Sequence, residues 1–160
     1  MRQEATIEAR SDTQTGMMLG LGHAPEPPPA RVWLVDDHNE IRELLRRLLE
    51  RSPGIDCERD FCSASGMLMA LSRETPPDVV LLDLNLGPEN GIEAIGLIKK
   101  FAPATQVLIL TTLHDTIKAA EARRAGAAGF LLKGDTFGSI VERIQEAARK
   151  AKWLGLARAS

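Results

Sequence analysis

Apolar runs that end in polar side chains alternate along this chain with segments of helical period. Residues 32–35 are apolar and are followed at once by Asp36-Asp37, and the apolar run 79–82 ends in Asp83 in the same way. Such unbroken runs are typical of strands buried on both faces of a parallel sheet. Weaker patterns of the same kind predict three more strands, at residues 55–61, 107–110 and 130–132.

The segments between and after these strands carry apolar side chains three or four residues apart, the spacing of an amphipathic helix. Asn39 and Asp115 are predicted N-caps of the first and fourth helices, and Gly126 is predicted to end the fourth. The predicted helices cover residues 41–49, 63–72, 92–101, a stretch before Gly126, and 137–151.

Five strands alternating with five helices predict an α/β fold, a doubly wound (βα)5 unit with an all-parallel sheet and helices on both faces. The flavodoxin-like strand order 2-1-3-4-5 places the ends of strands 1 and 3 side by side. Asp36, Asp37 and Asp83 should therefore converge at one edge of the sheet, next to Thr111 and Lys133 from the ends of strands 4 and 5.

Three clustered carboxylates need a counter-charge, because ionised and unscreened they would repel by about 10 kcal/mol at an effective dielectric constant near 20. Oxygen-only ligands suit Mg²⁺, which typically joins carboxylates to a phosphate. A carboxylate can also be the nucleophile that accepts a phosphoryl group. We therefore expect Asp83 to be phosphorylated, with Mg²⁺, Lys133 and Thr111 stabilising the transferring group.

The composition fits one globular domain. The chain has 160 residues, 44% of them hydrophobic, and a formal net charge of -2, which argues against a protein dominated by nucleic-acid or membrane electrostatics. The apolar stretch 17–22 is too short for a transmembrane helix and lacks a basic segment before it, so a cytoplasmic location is predicted. Cys57 and Cys62 lack metal-type spacing and are predicted to be reduced thiols.

The ends of the chain are expected to lie outside the domain. Residues 1–30 have no sustained apolar period and finish in a proline cluster, so they are predicted to form a disordered leader, and translation from Met17 or Met18 is an open alternative. The domain is predicted to cover residues 31–152. Residues 153–160 are predicted to be a short tail.

Four motifs in order make the family recognisable: Asp36-Asp37, Asp83-Leu84-Asn85, Thr111, and the run from Gly126 to Lys133. Together they resemble the receiver domain of bacterial two-component response regulators, with a CheY-like fold. Two departures from many receivers are visible. Gly134 follows Lys133 where a proline is common, as in the NarL/FixJ group, and Thr112 replaces a small alanine, which suggests slower phosphoryl exchange.

The resemblance implies a role for each residue of the site. Asp83 would be the phosphoacceptor, with a sensor histidine kinase or a histidine phosphotransfer protein as donor. Asp37 would bind Mg²⁺ directly and Asp36 largely through water, and the main-chain carbonyl of Asn85 would complete the ligands. The domain would catalyse its own phosphorylation and dephosphorylation but would turn over no separate substrate.

Thr111 and Phe130 would form the switch, with Phe130 turning inward when Thr111 moves toward the phosphate. The output surface in the family is the face made by helix 4, strand 5 and helix 5, which would bind a downstream protein or a second copy. No membrane contact is expected. Residues 153–160 leave no room for a DNA-binding domain, so the chain is either a stand-alone receiver or the N-terminal part of a NarL/FixJ-type transcription factor. The stand-alone receiver is preferred, because the predicted leader looks like a natural start.

Several alternatives stay open at this point. A phosphatase of the haloacid dehalogenase type also uses an aspartate and Mg²⁺, but it expects a second acid where this chain has Asn85 and a nucleophile on the first strand. A receiver-like module that binds partners without phosphorylation would keep the receiver fold but lose the phosphorylation chemistry. His38 and His114 are interpreted as surface or loop residues, and the arginines of helix 1 as a solvated face.

Overall fold

The computed structural model describes residues 24–112 and 115–159, and it contains the predicted parallel five-stranded sheet. The order along the sheet is β2-β1-β3-β4-β5 and every neighbouring pair is parallel, which confirms the flavodoxin-like arrangement. The strands are β1 (Ala30–Val35), β2 (Ile55–Phe61), β3 (Val79–Leu82), β4 (Gln106–Thr111) and β5 (Gly129–Leu132).

Five helices cover the two faces of the sheet, as predicted. Buried side chains of α2, α3 and α4 pack on one face, and those of α1 and α5 pack on the other. The helices are α1 (Asn39–Glu50), α2 (Ala64–Leu71), α3 (Gly91–Phe101), α4 (Thr116–Ala125) and α5 (Phe137–Ala159).

The continuous apolar runs of β1 and β3 are explained by burial on both faces. Val32 and Leu34 lie in the core beneath α1 and α5, whereas Trp33 and Val35 lie in the core beneath α2, α3 and α4. Each such side chain contributes roughly 1.5–3 kcal/mol when fully buried. The central strands are therefore held firmly, and the polar residues that follow them are fixed at one edge of the sheet.

A short antiparallel hairpin, Asn85–Leu86 with Glu89–Asn90, connects β3 to α3. Gly87 turns the hairpin with a φ of +63°, a backbone conformation that side chains rarely adopt. At Gly91 an added Cβ would lie 2.9 Å from the Cα of Leu84, so α3 can begin this close to the chain after β3 only with glycine. The residues after Asp83 are thus pinned against α3.

The helix caps differ in part from the prediction. Asp115 caps α4 as expected, because its side chain accepts hydrogen bonds from the main-chain N–H groups of residues 117 and 118. The predicted cap Asn39 is instead the first residue of α1, and the cap position belongs to His38. The reason is local: the N–H of His38 is held by Asp36 Oδ1 at 2.9 Å, so the helix begins one residue earlier than expected.

Two helices expose large apolar side chains, and for α3 the sequence pattern had placed them inside. Leu97 and Phe101 of α3 are exposed, because the core beneath α3 is filled by Ala94, Ile95 and Ile98. Helix α5 continues to Ala159 through most of the predicted tail, and Trp153 and Leu156 on this extension are exposed.

The segment before β1 is extended chain. Residues 24–29 belong to no helix or strand and are exposed, and the remainder of the predicted leader, residues 1–23, lies outside the described part. Where the structure describes the chain, every helix is too short or too polar to cross a membrane. Cys57 and Cys62 are free thiols, and burial raises the pKa of Cys57 to about 12.

Candidate functional site

The predicted site residues meet where β1 and β3 end. Asp36 and Asp83 each continue a sheet ladder by one residue, because Asp36 N donates to Phe61 O at 3.1 Å and Asp83 N donates to Val35 O at 3.0 Å. Both aspartates are almost fully buried, at 1% and 4% exposure. Their carboxylates are therefore held by the same backbone hydrogen bonds that build the sheet.

Lys133 connects these two carboxylates. Its Nζ atom lies 2.6 Å from Asp36 Oδ2 and 2.7 Å from Asp83 Oδ2, and its side chain is only 11% exposed. The main-chain N–H of Lys133 donates to Thr111 O at 2.9 Å, so the β4–β5 pairing sets the position of the lysine. Burial by itself lowers the pKa of Lys133, but the hydrogen bonds to Asp36 and Asp83 raise the pKa above its ordinary value.

The second oxygen of each buried carboxylate accepts a hydrogen bond from the main chain. Asp83 Oδ1 accepts a hydrogen bond from Asn85 N at 2.9 Å, and Asp36 Oδ1 accepts one from His38 N at the same distance. An aspartate that accepts from the N–H two residues later forms a local turn that fixes its own rotamer. The two carboxylates are therefore oriented before any ligand arrives.

The three aspartates form an acidic cluster that fits a divalent cation. One ligand atom each from Asp36, Asp37, Asp83 and His38 lies within 4.8 Å of the others. Asp37 and His38 also line an open hollow of about 460 Å³ in which Asn85 lies. Carboxylate and carbonyl oxygens are the donors that Mg²⁺ prefers, so the donor set fits the predicted ion.

The two predicted switch residues lie next to the same small cavity. Thr111 is buried at the end of β4, and Phe130 is half-buried in β5 and packs against the core beneath α2, α3 and α4. Both line the cavity together with Leu84 and Lys118. Thr112 is exposed, and His114 lies outside the described residues.

The helix-1 arginines were predicted to form a solvated face, but two of them make specific ion pairs. Arg42 and Arg46 both pair with Asp60 of β2. Arg42 Nη1 also donates to Asp36 O at 2.7 Å, which holds the main chain at the acidic cluster. These pairs could not be predicted from the sequence, because Asp60 lies on β2, beyond the end of α1.

Two further residues lie next to the site and were not predicted to belong to it. His38 lies with its Nδ1 atom 2.9 Å from Asp37 Oδ1, and its position directly after the acidic pair was the available signal. Glu89 accepts from the main-chain N–H groups of Ala64 and Ser65, so it caps α2 from the hairpin. Hydrogen bonds from Ser65 and Ala64 hold the pKa of Glu89 below its ordinary value, and no local pattern could have shown this contact.

Comparison with known proteins agrees with this geometry. The family model described as "Response regulator receiver domain" matches residues 32–145. The transcriptional regulatory protein LnrK of Bacillus subtilis is 34% identical over 116 residues, which are 71% of this chain and 51% of LnrK. The nitrate/nitrite response regulator protein NarP of Escherichia coli is 30% identical over 128 residues, 80% of this chain and 59% of NarP.

Solved structures are similar over the same region. A LuxR-family two-component response regulator from Aurantimonas has a TM-score of 0.69 and 34% identity, covering 82% of this chain and 99% of that one. The receiver domain of the putative response regulator NarL from Mycobacterium tuberculosis has a TM-score of 0.71 and 28% identity, covering 77% and 98%.

The matched segment contains the whole acidic cluster and Lys133, so the similarity covers the candidate site as well as the fold. The chain spans about half the length of the curated relatives it matches. The family match also excludes the haloacid dehalogenase alternative, since Asp83 follows the third strand of a receiver sheet. This chain belongs to the response regulator receiver domain family, and its relatives include regulators of the NarL and LuxR type.

Proposed function

We propose that this receiver domain accepts a phosphoryl group on Asp83 and acts as a phosphorylation-dependent signalling switch. The observation that carries the proposal is the pair of buried carboxylates, Asp36 and Asp83, joined through the Lys133 ammonium at the carboxyl edge of the sheet. The phosphoryl donor would be a phosphohistidine of a sensor histidine kinase or of a histidine phosphotransfer protein.

The transfer follows from the chemistry of these groups. An Asp83 carboxylate oxygen attacks phosphorus, the P–N bond to the donor imidazole breaks, and its electron pair goes to the ring nitrogen, which is then protonated. Lys133 contacts Asp83 Oδ2, so its ammonium would stabilise the negative charge of the phosphoryl oxygens during transfer. Mg²⁺, held by Asp36, Asp37, Asp83 and the main-chain carbonyl of Asn85, would supply further charge neutralisation.

Loss of the phosphoryl group completes the cycle. Water attacks phosphorus, the bond to the Asp83 oxygen breaks, and the free carboxylate and inorganic phosphate are formed. The domain thus catalyses changes in its own phosphorylation and acts on no separate substrate. Thr112 is exposed beside Thr111, and we propose that it slows this hydrolysis; a dephosphorylation rate that is unchanged in Thr112→Ala would contradict that role.

The switch would couple the site to a surface. Thr111 moves its hydroxyl toward the phosphate, and Phe130 fills the space beside it, which changes the face made by α4, β5 and α5. Phosphorylation can shift the population only through contacts that differ between the two states. A downstream protein or a second copy of the chain would bind the changed face.

The organisation of the chain is part of the same proposal. We propose a cytoplasmic protein with a leader that ends where β1 begins, at Ala30, and a receiver whose last helix includes residues 153–159 of the predicted tail. The output is either that of a stand-alone receiver or that of a longer transcription factor. A stand-alone receiver would act through protein contacts, and no DNA-binding domain is proposed within these residues.

The test is the intact mass of the protein after incubation with Mg²⁺ and acetyl phosphate. A base-labile phosphoryl adduct should form on the wild type, should be abolished by chelation of Mg²⁺, and should be absent from Asp83→Asn. Asp56→Asn, an exposed aspartate of β2, is the matched control and should keep the adduct. A folded wild type that binds Mg²⁺ but forms no adduct would instead indicate a binding module that works without phosphorylation.

A further inference from the structure

The imidazole of His38 extends the acidic cluster with a nitrogen donor. Its Nδ1 atom lies 2.9 Å from Asp37 Oδ1 and 3.3 Å from Asp36 Oδ1. Two ligands about 2.1 Å from one ion lie roughly 3.0 Å apart when they occupy neighbouring positions, by simple geometry on typical bond lengths. The 2.9 Å contact has the length of a hydrogen bond from the imidazole to Asp37, and the same spacing would suit two ligands in neighbouring positions once an ion replaces the proton on Nδ1.

His38 can contribute without disturbing the lysine bridge. Lys133 contacts the Oδ2 atoms of Asp36 and Asp83, whereas the imidazole approaches Oδ1 of Asp36 and of Asp37. The two basic groups therefore use different carboxylate oxygens. An ion bound on the histidine side would leave the Lys133 contacts in place.

The backbone of His38 is anchored while its ring is accessible. The N–H of His38 is held by Asp36, and its carbonyl accepts from Arg42 N at 2.9 Å in the first turn of α1. The side chain is 61% exposed and lies at the wall of the open hollow beside Asn85. The ring can thus reorient toward an ion without any movement of the sheet.

The ligand atoms determine which divalent ions this site binds more tightly. Carboxylate, carbonyl and water oxygens suit Mg²⁺ and Mn²⁺, whereas an imidazole favours ions such as Ni²⁺ and Zn²⁺. We infer that His38 is a fourth side-chain ligand that lets the cation site also accept an imidazole-favouring divalent ion. This inference rests on the proposed function, because it assigns a further ligand to the same cation site.

The experiment is calorimetric titration of the full chain with Mg²⁺, Mn²⁺ and Ni²⁺, for the wild type and His38→Gln. The affinity for Ni²⁺ should fall about 10- to 100-fold in the variant, by analogy with the loss of a group that supports a metal site. The affinities for Mg²⁺ and Mn²⁺ should change by less than about two-fold, since water can replace the imidazole on these ions. Excess Mg²⁺ should compete with Ni²⁺ on the wild type.

Lys100→Gln, at an exposed position of α3, is the control and should leave Ni²⁺ binding as in the wild type. The inference is overturned if His38→Gln keeps the wild-type Ni²⁺ affinity, or if Mg²⁺ and Ni²⁺ affinities fall together. It is also overturned if Ni²⁺ binds the wild type without competition from Mg²⁺. A wild type that binds no Mg²⁺ at all would contradict the proposed function itself, which separates the two failures.

Discussion

The two edges of the sheet differ in how deeply their carboxylates are buried and in how many carboxylates share one cation. Near the amino edge, Arg31 donates to both carboxylate oxygens of Glu58, at 2.5 and 2.9 Å, and these side chains remain partly exposed. At the carboxyl edge, the carboxylates of Asp36 and Asp83 are buried and share the Lys133 ammonium. Glu58 has a cation of its own at the first edge, whereas two carboxylates share one ammonium at the second.

This difference separates a structural use of charge from a chemical one. The Arg31 guanidinium also donates to the main-chain carbonyls of Thr75 and Pro76, so it ties β1 to the segment before β3. Partly exposed ion pairs of this kind contribute about 1 kcal/mol or less. Buried charges behave differently, because removal of one partner leaves an uncompensated charge away from water.

The largest effect is expected for Lys133→Met. The substitution leaves Asp36 and Asp83 buried without their counter-charge, and without divalent ions it should lower the free energy of unfolding by about 3–5 kcal/mol at pH 7. Urea unfolding in the presence of a chelator measures this. Lys100→Met, at an exposed lysine of α3, is the control, and adding Asp83→Asn to Lys133→Met should restore part of the stability.

A smaller effect is expected at the amino edge. Arg31→Ala should lower the free energy of unfolding by about 1–2 kcal/mol, because it removes one partly exposed ion pair and two hydrogen bonds to carbonyls. The same urea experiment applies, with the exposed Arg73→Ala as control. A loss as large as that of Lys133→Met would remove the distinction between the two edges.

The stabilisation that Glu58 provides at the amino edge should decrease as the pH falls. The hydrogen bond from Arg31 outweighs burial and holds the pKa of Glu58 below its ordinary value. A lowered folded-state pKa means that the stabilisation is complete above the unfolded pKa, about 4.3, and is lost as the pH falls through the folded value. The stability difference between wild type and Glu58→Gln should therefore shrink from pH 7 to acidic pH. A constant difference would contradict this.

The smallest effect is expected for Asp37→Asn, and its sign is opposite. Asp37 is an exposed member of the acidic cluster, so removing its charge relieves repulsion and should raise the free energy of unfolding by about 0.5 kcal/mol in chelator. Saturating Mg²⁺ should then stabilise the wild type more than the variant. Thermal unfolding with and without Mg²⁺ checks this, and Asp56→Asn should show neither change.

The sequence predicted the strands and their order well, because a strand buried on both faces needs an unbroken apolar run. It also predicted which residues meet at the site, since the ends of parallel strands lie at one edge. Thr111, Lys133 and Asp83 come from three strands, and the topology alone is enough to bring them together.

Contacts that depend on side-chain direction were not predictable in the same way. Glu89 caps a helix that begins 25 residues earlier, and Arg42 reaches the main chain of Asp36. Leu97 and Phe101 follow a helical apolar pattern but are exposed, because the sheet beneath α3 is already covered by Ala94, Ile95 and Ile98. The wrong cap at Asn39 has a similar origin, since Asp36 shifts the start of α1.

The lysine bridge also constrains the order in which a descendant of this protein can lose its chemistry. If Lys133 changed first, two buried anions would face each other, and the folded state would be penalised before any new role was gained. If Asp83 changed first to asparagine, the lysine would still neutralise Asp36 and the fold would survive. On the function proposed above, lineages that lose phosphorylation should therefore lose Asp83 before Lys133, so a lysine that remains without its aspartate indicates earlier activity.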